Sequence, residues 1–289
     1  MKNKKFLIII ILIMLVLSGC SKNEDASALT VYTSVYPTEY ILDYLYGDNL
    51  AITSIYPDGS NFEKYELTKT QIDEYSTNDL FVYNSTIDKE KNYAVELLNK
   101  NKNLKIIDAS LGMSYVNDVP ETWLNPSSFL MMASNIKKGL KEYINESIEI
   151  DKINKNYESL KLLLTKMDAD LKKIANNTSN KTIIVSNDTF KYLEKYGFNV
   201  ISLEENANLT DKVLKEAEDL MKNKSISYVF LKDNEEENNT IKSLKEKYKF
   251  TTVSLNSLSN LSSQDRLDNK NYESIMNENI NSIKLEVND

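Results

Sequence analysis

From Leu29 onward, short runs of β-branched and aliphatic residues alternate with longer stretches in which apolar side chains recur every three or four positions. The first pattern fits buried strands and the second fits amphipathic helices, so their alternation predicts an α/β fold with mostly parallel sheets. Four strands are expected before residue 110, at 29–35, 50–56, 79–83 and 104–107. Four more are expected after residue 180, at 182–186, 199–203, 227–231 and 251–255. The grouping predicts two similar βα lobes, each with a four-stranded sheet.

Between the two groups, Ile153, Tyr157, Leu160, Leu164, Met167, Leu171 and Ile174 recur at alternating steps of four and three. That spacing draws one apolar stripe along one helix, and no Pro or Gly interrupts it. A stiff helix rather than a floppy linker is expected to join the lobes. The same stripe would also suit an ordinary bundle helix in a single larger domain. The resulting division is a signal peptide at 1–19, a polar tether at 20–28, an N-terminal α/β lobe at 29–146, the linking helix at 147–178 and a C-terminal α/β lobe at 179–289.

The first twenty residues follow another pattern. Lys2, Lys4 and Lys5 precede an apolar run from Phe6 to Leu17, which closes on Leu17-Ser18-Gly19-Cys20. The run is well short of the ~20 residues that a spanning helix needs, and small residues sit where a signal peptidase cuts. The arrangement resembles the bacterial lipobox. It implies cleavage before Cys20, acylation of the Cys20 thiol with a palmitate-type chain, and tethering at the extracytoplasmic face of the cell membrane. A plain N-terminal anchor with an incidental cysteine is the simpler alternative, against which stands the position of the chain's single cysteine.

Composition narrows the chemistry. With no histidine and one cysteine, the chain lacks the side chains for Ser-His-Asp triads, histidine general bases, disulfides and zinc fingers. The 35 basic residues, of which only Arg266 is an arginine, face 43 acids for a net charge of −8. The segment before Cys20 holds three lysines and no acid, so from Cys20 onward the charge falls to −11. A chain this acidic has no basic footprint for nucleic acid. No glycine-rich phosphate loop and no G-x-S-x-G turn occurs among its six glycines.

In open α/β sheets, ligands bind beyond the carboxyl ends of the strands. Four loops there stand out: Pro57 to Thr68, Val119 to Pro126 with the only tryptophan, Asn187 to Phe190, and Asn256. Several segments, in order, resemble a known family. They are Tyr32-Thr33-Ser34-Val35-Tyr36-Pro37, Asp79-Leu80-Phe81-Val82-Tyr83-Asn84, Ile106-Ile107-Asp108-Ala109-Ser110, Trp123-Leu124-Asn125-Pro126 and Val185 to Leu193. The family is that of the zinc- and manganese-binding lipoproteins that feed bacterial ABC importers, some also described as adhesins. The resemblance covers nearly all of the chain after the signal.

What the resemblance implies is a solute-binding lipoprotein rather than an enzyme. It would capture a divalent metal ion between the lobes, as a monomer, and deliver it to an ABC permease and its ATPase, with no organic cofactor. Family members usually place histidine at the positions of Glu63 and Glu121, histidine or glutamate at Asn187, and an acid at Asn256. All four positions differ here. The implied set, Glu63, Glu121, Asn187 and Asn256, is all oxygen, and suits Mn²⁺, Mg²⁺ or Ca²⁺ better than Zn²⁺. Asp188, Glu204 and Glu205 are neighbouring substitutes.

The same residues also admit a blander account. Glu63 and Glu121 would be solvated loop acids, and the two asparagines helix caps or turn residues. The chain would then be a paralogue that has lost metal binding and recognises another ligand or surface, with cell adhesion one such role. An enzyme using Glu63 and Glu121 as a glycosidase acid pair is a third class, and nothing in the spacing supports it.

Overall fold

The structure, a computed structural model, describes residues 28–114 and 119–287. The signal peptide, Cys20 and nearly all of the tether lie outside the described residues. Two four-stranded, fully parallel sheets form the frame. The first contains β1 (Leu29–Thr33), β2 (Leu50–Ser54), β3 (Leu80–Tyr83) and β4 (Lys105–Asp108) in the order β2-β1-β3-β4. The second contains β5 (Thr182–Val185), β6 (Asn199–Ser202), β7 (Tyr228–Lys232) and β8 (Thr251–Leu255) in the equivalent order β6-β5-β7-β8. The eight strands expected from the sequence are present, with ends moved by at most two residues.

Helices connect the strands in the βα manner. In the first lobe these are α1 (Tyr36–Tyr46), α2 (Lys69–Tyr75), α3 (Asp88–Lys100) and α4 (Pro126–Tyr143). The long helix α5 spans Ser147–Asn177, roughly 46 Å at ~1.5 Å per residue. Its stripe is buried at Ile153, Leu160, Leu164, Met167 and Leu171, and packs against α1 and α4. In the second lobe follow α6 (Asp211–Lys222), α7 (Asn239–Tyr248), α8 (Ser263–Leu267) and α9 (Tyr272–Val287). No helix among the described residues is long and apolar enough to cross a membrane.

The lobes share a core. One cluster of buried side chains runs from Val31 through the α5 stripe to Val287, while a smaller one is confined to the second lobe. Polar staples reinforce the joint. Tyr36 N donates to Ser259 O at 3.0 Å, Gly59 N to Leu261 O at 2.8 Å, and Trp123 Nε1 to Ser257 O at 2.8 Å. Gly59 has φ +73, the left-handed region that glycine adopts freely, and this turn sets its N–H toward the second lobe. Arg266 adds a bidentate bond to Glu39 and a third to Asp58.

Candidate functional site

In each sheet the chain leaves the first strand in one direction and returns on its other side, so a crevice opens at the carboxyl ends of the central pairs, β1/β3 and β5/β7. The two crevices contribute to one interlobe cleft. It holds a cavity of about 570 Å³ lined by Glu63, Glu121, Asn187, Glu204, Lys232 and Glu235, among others. A second cavity of about 330 Å³ adjoins it across Glu121 and Asp188.

Aromatic packing brings the two first-lobe acids together. Phe62 and Trp123 meet edge to face at 6.1 Å and are both buried, and each lies next in sequence or nearly so to an acid of the cleft. Phe62 thereby holds Glu63, and the buried 3-10 turn Thr122–Leu124 holds Glu121, whose side chain is 1% exposed. Glu63 remains half-exposed.

The residue at their centre is Lys232. It is the last residue of β7, where the alternation of the strand turns its side chain inward, and its own N–H is fixed by Ser186 Oγ at 2.9 Å. Its Nζ stands 2.7 Å from Glu121 Oε1, 3.3 Å from Glu63 Oε1 and 3.5 Å from Glu235 Oε1, with 9% of the side chain exposed. Burial alone would lower the ammonium's pKa, but Glu121, then Glu63 and Glu235, more than reverse this, and it lies well above the ordinary lysine value. Burial raises the Glu235 carboxyl, and Lys232 partly offsets that rise. At neutral pH the lysine is charged.

The two asparagines use their amide oxygens locally. Asn187 Oδ1 accepts from Thr189 N at 2.9 Å and caps the 3-10 helix Asp188–Tyr196, so it is the amide nitrogen that faces the acids, donating to Glu235 Oε1 at 3.2 Å. Asn256 Oδ1 accepts from Leu258 N at 2.7 Å, and its backbone is bound on both sides by the Asn279 amide. Asn256 is not among the residues lining the cleft cavity. Both amide oxygens serve turn geometry, the role the residue type favours.

The neighbouring acids are also committed. Asp188 is buried and accepts from Asn206 and Asn208, with Lys191 3.0 Å away. Burial raises its carboxyl, yet bonds from Ser202, Lys191, Asn208 and Asn206 outweigh that and hold it below the usual range. Glu204 Oε2 accepts from Asp188 N, and Glu205 Oε1 from Thr240 N. In this arrangement no group of three or more His, Cys, Asp or Glu side chains among the described residues is set to hold a metal ion.

Lys232 and Glu235 were not singled out by sequence reasoning. The available signal was a lysine ending a buried strand, followed three residues later by an acid on a loop at a sheet's carboxyl edge.

The model of the family described as zinc-uptake complex component A, periplasmic, matches residues 31–285. The chain belongs to this family. Among its relatives, it is 28% identical to the metal ABC transporter substrate-binding lipoprotein SsaB of Streptococcus sanguinis, over 70% of this chain and 71% of the relative. It is 28% identical to the manganese ABC transporter substrate-binding lipoprotein PsaA of Streptococcus pneumoniae, over 63% and 64%. The fold is similar to the Zn(II)-bound ZnuA-like domain of AdcA from Streptococcus pneumoniae, at TM-score 0.74 and 21% identity over 90% of this chain and 99% of that one. It is equally similar to the metal-dependent lipoprotein YcdH from Bacillus subtilis, at TM-score 0.75 and 20% identity over the same shares. The named relatives are substrate-binding lipoproteins of metal ABC transporters, not enzymes. The two-lobed α/β architecture expected from the sequence is thus the fold of the family.

Proposed function

We propose that this chain is the lipid-anchored, extracytoplasmic binding component of an ABC importer, and that its cleft carries its own resident cation and captures no Mn²⁺ or Zn²⁺ at neutral pH. Lys232 carries the reading: its ammonium sits among Glu63, Glu121 and Glu235 where a captured cation would gain most from the three carboxylates. A transition-metal ion entering the cleft would have to displace a buried charge. It would find no imidazole or thiolate in compensation, because the chain has no histidine and its one cysteine is Cys20.

On this reading the protein is a monomer, held to the membrane through Cys20 and oriented toward a permease and its ATPase. Its activity is binding of a ligand or surface other than a transition metal, adhesion included. The test is metal analysis of the mature chain, without its lipid, after dialysis against mixed divalent cations. Occupancy far below one ion per chain is expected. Stoichiometric manganese or zinc would overturn the reading and restore metal capture.

A further inference from the structure

We infer that the groove between α1 and the start of α9 binds a small protonated aliphatic amine, at a site separate from the interlobe cleft. Its cavity of about 660 Å³ shares no lining residue with the two cavities of the cleft. The first lobe contributes one face of α1. Tyr36, Glu39, Tyr40, Asp43 and Tyr44 follow the i, i+3, i+4, i+7, i+8 spacing that a core-facing helix fills with aliphatic side chains. Here that face carries three phenols and two acids, with Leu50, Ile52 and Leu261 lining the same cavity.

Tyr40 supplies the observation that points to a ligand. It is only 8% exposed, and its ring meets Tyr44 at 5.8 Å and Tyr272 at 5.6 Å. A phenol this buried ordinarily finds a hydrogen-bond partner, yet the Tyr40 hydroxyl has none among the described residues. Burial, then Tyr44, Glu273 and Asp43, raise it above the ordinary tyrosine value, so at neutral pH it is an uncharged hydroxyl beside two acids. Those acids are equally uncommitted. Asp43 on α1 and Glu273 in the first turn of α9 are exposed, line the cavity and enter no ion pair among the described residues. The cations of the wall are already taken, Arg266 by Glu39 and Asp58 and Lys270 by Asp265 and Glu278.

The chemistry of the wall selects the ligand. Two carboxylates without an internal counter-ion attract a cation, and tyrosine rings add to that attraction for one held against them. A bare metal ion fits poorly, because no group of three or more His, Cys, Asp or Glu side chains among the described residues is set to hold one and the cavity is far larger than an ion. A quaternary ammonium would meet the rings and the charge but leave the Tyr40 hydroxyl unpaired. A protonated amine has N–H groups to donate to the Tyr40 oxygen and to a carboxylate, while its methylenes cover Leu50 and Ile52. Asp43 and Glu273 stand on opposite lobes, so a bound amine would also clasp the seam between them.

The test is calorimetric and thermal-shift titration of the mature chain, without its lipid, with cadaverine, choline, hexanoate and calcium chloride. Physiological salt screens loose attraction to an acidic chain. Expected is saturable 1:1 binding of cadaverine with a raised melting temperature, weaker binding of choline, and no binding of hexanoate. Asp43→Asn, Glu273→Gln and Tyr40→Phe should each weaken cadaverine by about tenfold. Glu96→Gln, which removes an exposed acid on α3, should leave it unchanged. Circular dichroism checks that each variant is folded, and the two acids are exposed enough to be replaced without disturbing the core. A cadaverine response that survives all three site substitutions, or falls equally in Glu96→Gln, overturns the site, as does the absence of saturable binding. Choline binding as tightly as cadaverine overturns the role of the hydroxyl, and calcium binding that the same three substitutions abolish overturns the choice of an amine.

Discussion

Nζ of Lys232 lies 2.7 Å from Oε1 of Glu121, and the two residues come from opposite lobes. The ammonium thus joins the two halves of the cleft as a shared ion would, but from a covalent tether. Three carboxylates and one ammonium leave the cluster with a net negative charge, so the lysine tempers their repulsion without abolishing it.

Breaking this pair leaves a carboxylate buried without a counter-charge, which costs about 3–5 kcal/mol in comparable sites. Lys232→Met is expected to lower stability by about 3 kcal/mol in divalent-free buffer. Adding Glu121→Gln should recover more than half of that loss. Urea unfolding of the double-mutant cycle measures both values, and independent, additive effects would show that the two charges are not coupled.

A different buried acid governs pH dependence. Glu90 is fully buried at the start of α3, accepts from Asn84 N at 2.8 Å and from Tyr56 at 3.2 Å, and burial pushes its carboxyl up from 4.5 to about 7. Between these two values the folded chain binds the proton more tightly than the unfolded chain, so stability falls as pH rises through this window. Glu90→Gln should flatten that slope and exceed wild type by about 1–3 kcal/mol at pH 8. Thermal melts from pH 4.5 to 8 decide it; parallel curves for the two proteins would exclude Glu90 as the cause.

The single arginine is expected to matter more for lobe docking than for global stability. Arg266 grips Glu39 in a fork and Asp58 with Nε, but it is about a third exposed, which screens the charges. Arg266→Ala should cost about 1 kcal/mol and Arg266→Lys rather less, since a lysine keeps the charge while losing the fork. Limited proteolysis near 266–271 should accelerate in the alanine variant. Unchanged cleavage would place the restraint in the backbone staples alone.

The strands could be read from the sequence because each is a run of β-branched residues between polar loops; their ends shifted because a ladder partner, not composition, decides where pairing stops. The long helix was legible for a similar local reason, its stripe being buried where the spacing placed it. The centre of the cleft was not legible. Glu63 and Lys232 are 169 positions apart, and a lysine after Val229-Phe230-Leu231 looks locally like a solvated strand end until the opposite lobe covers it. The two asparagines could not be assigned from residue type, since a cap and a ligand use the same amide oxygen. Only the turn that follows each one shows which use has been made of it.

Anchoring through Cys20 is expected to be separable from folding. Cys20→Ser should leave the folded body intact and move it from the membrane fraction to the soluble fraction. Metabolic labelling with a palmitate analogue followed by fractionation tests this. An unlabelled wild type, or a mutant that stays with the membrane, would rule out lipidation at this residue.

Tyr272, the first residue of α9, stacks on Phe129 of the first lobe at 3.9 Å and 6° and donates from its hydroxyl to the carbonyl of Trp123 at 2.7 Å. A chain made amino-end first would therefore hold an incomplete first-lobe core until α9 had emerged. Completion of the first-lobe core then waits on the second lobe. During that interval the aromatic surface around Phe129 stays uncovered, so the yield of folded protein depends on the arrival of α9 as well as on the stability of the finished fold.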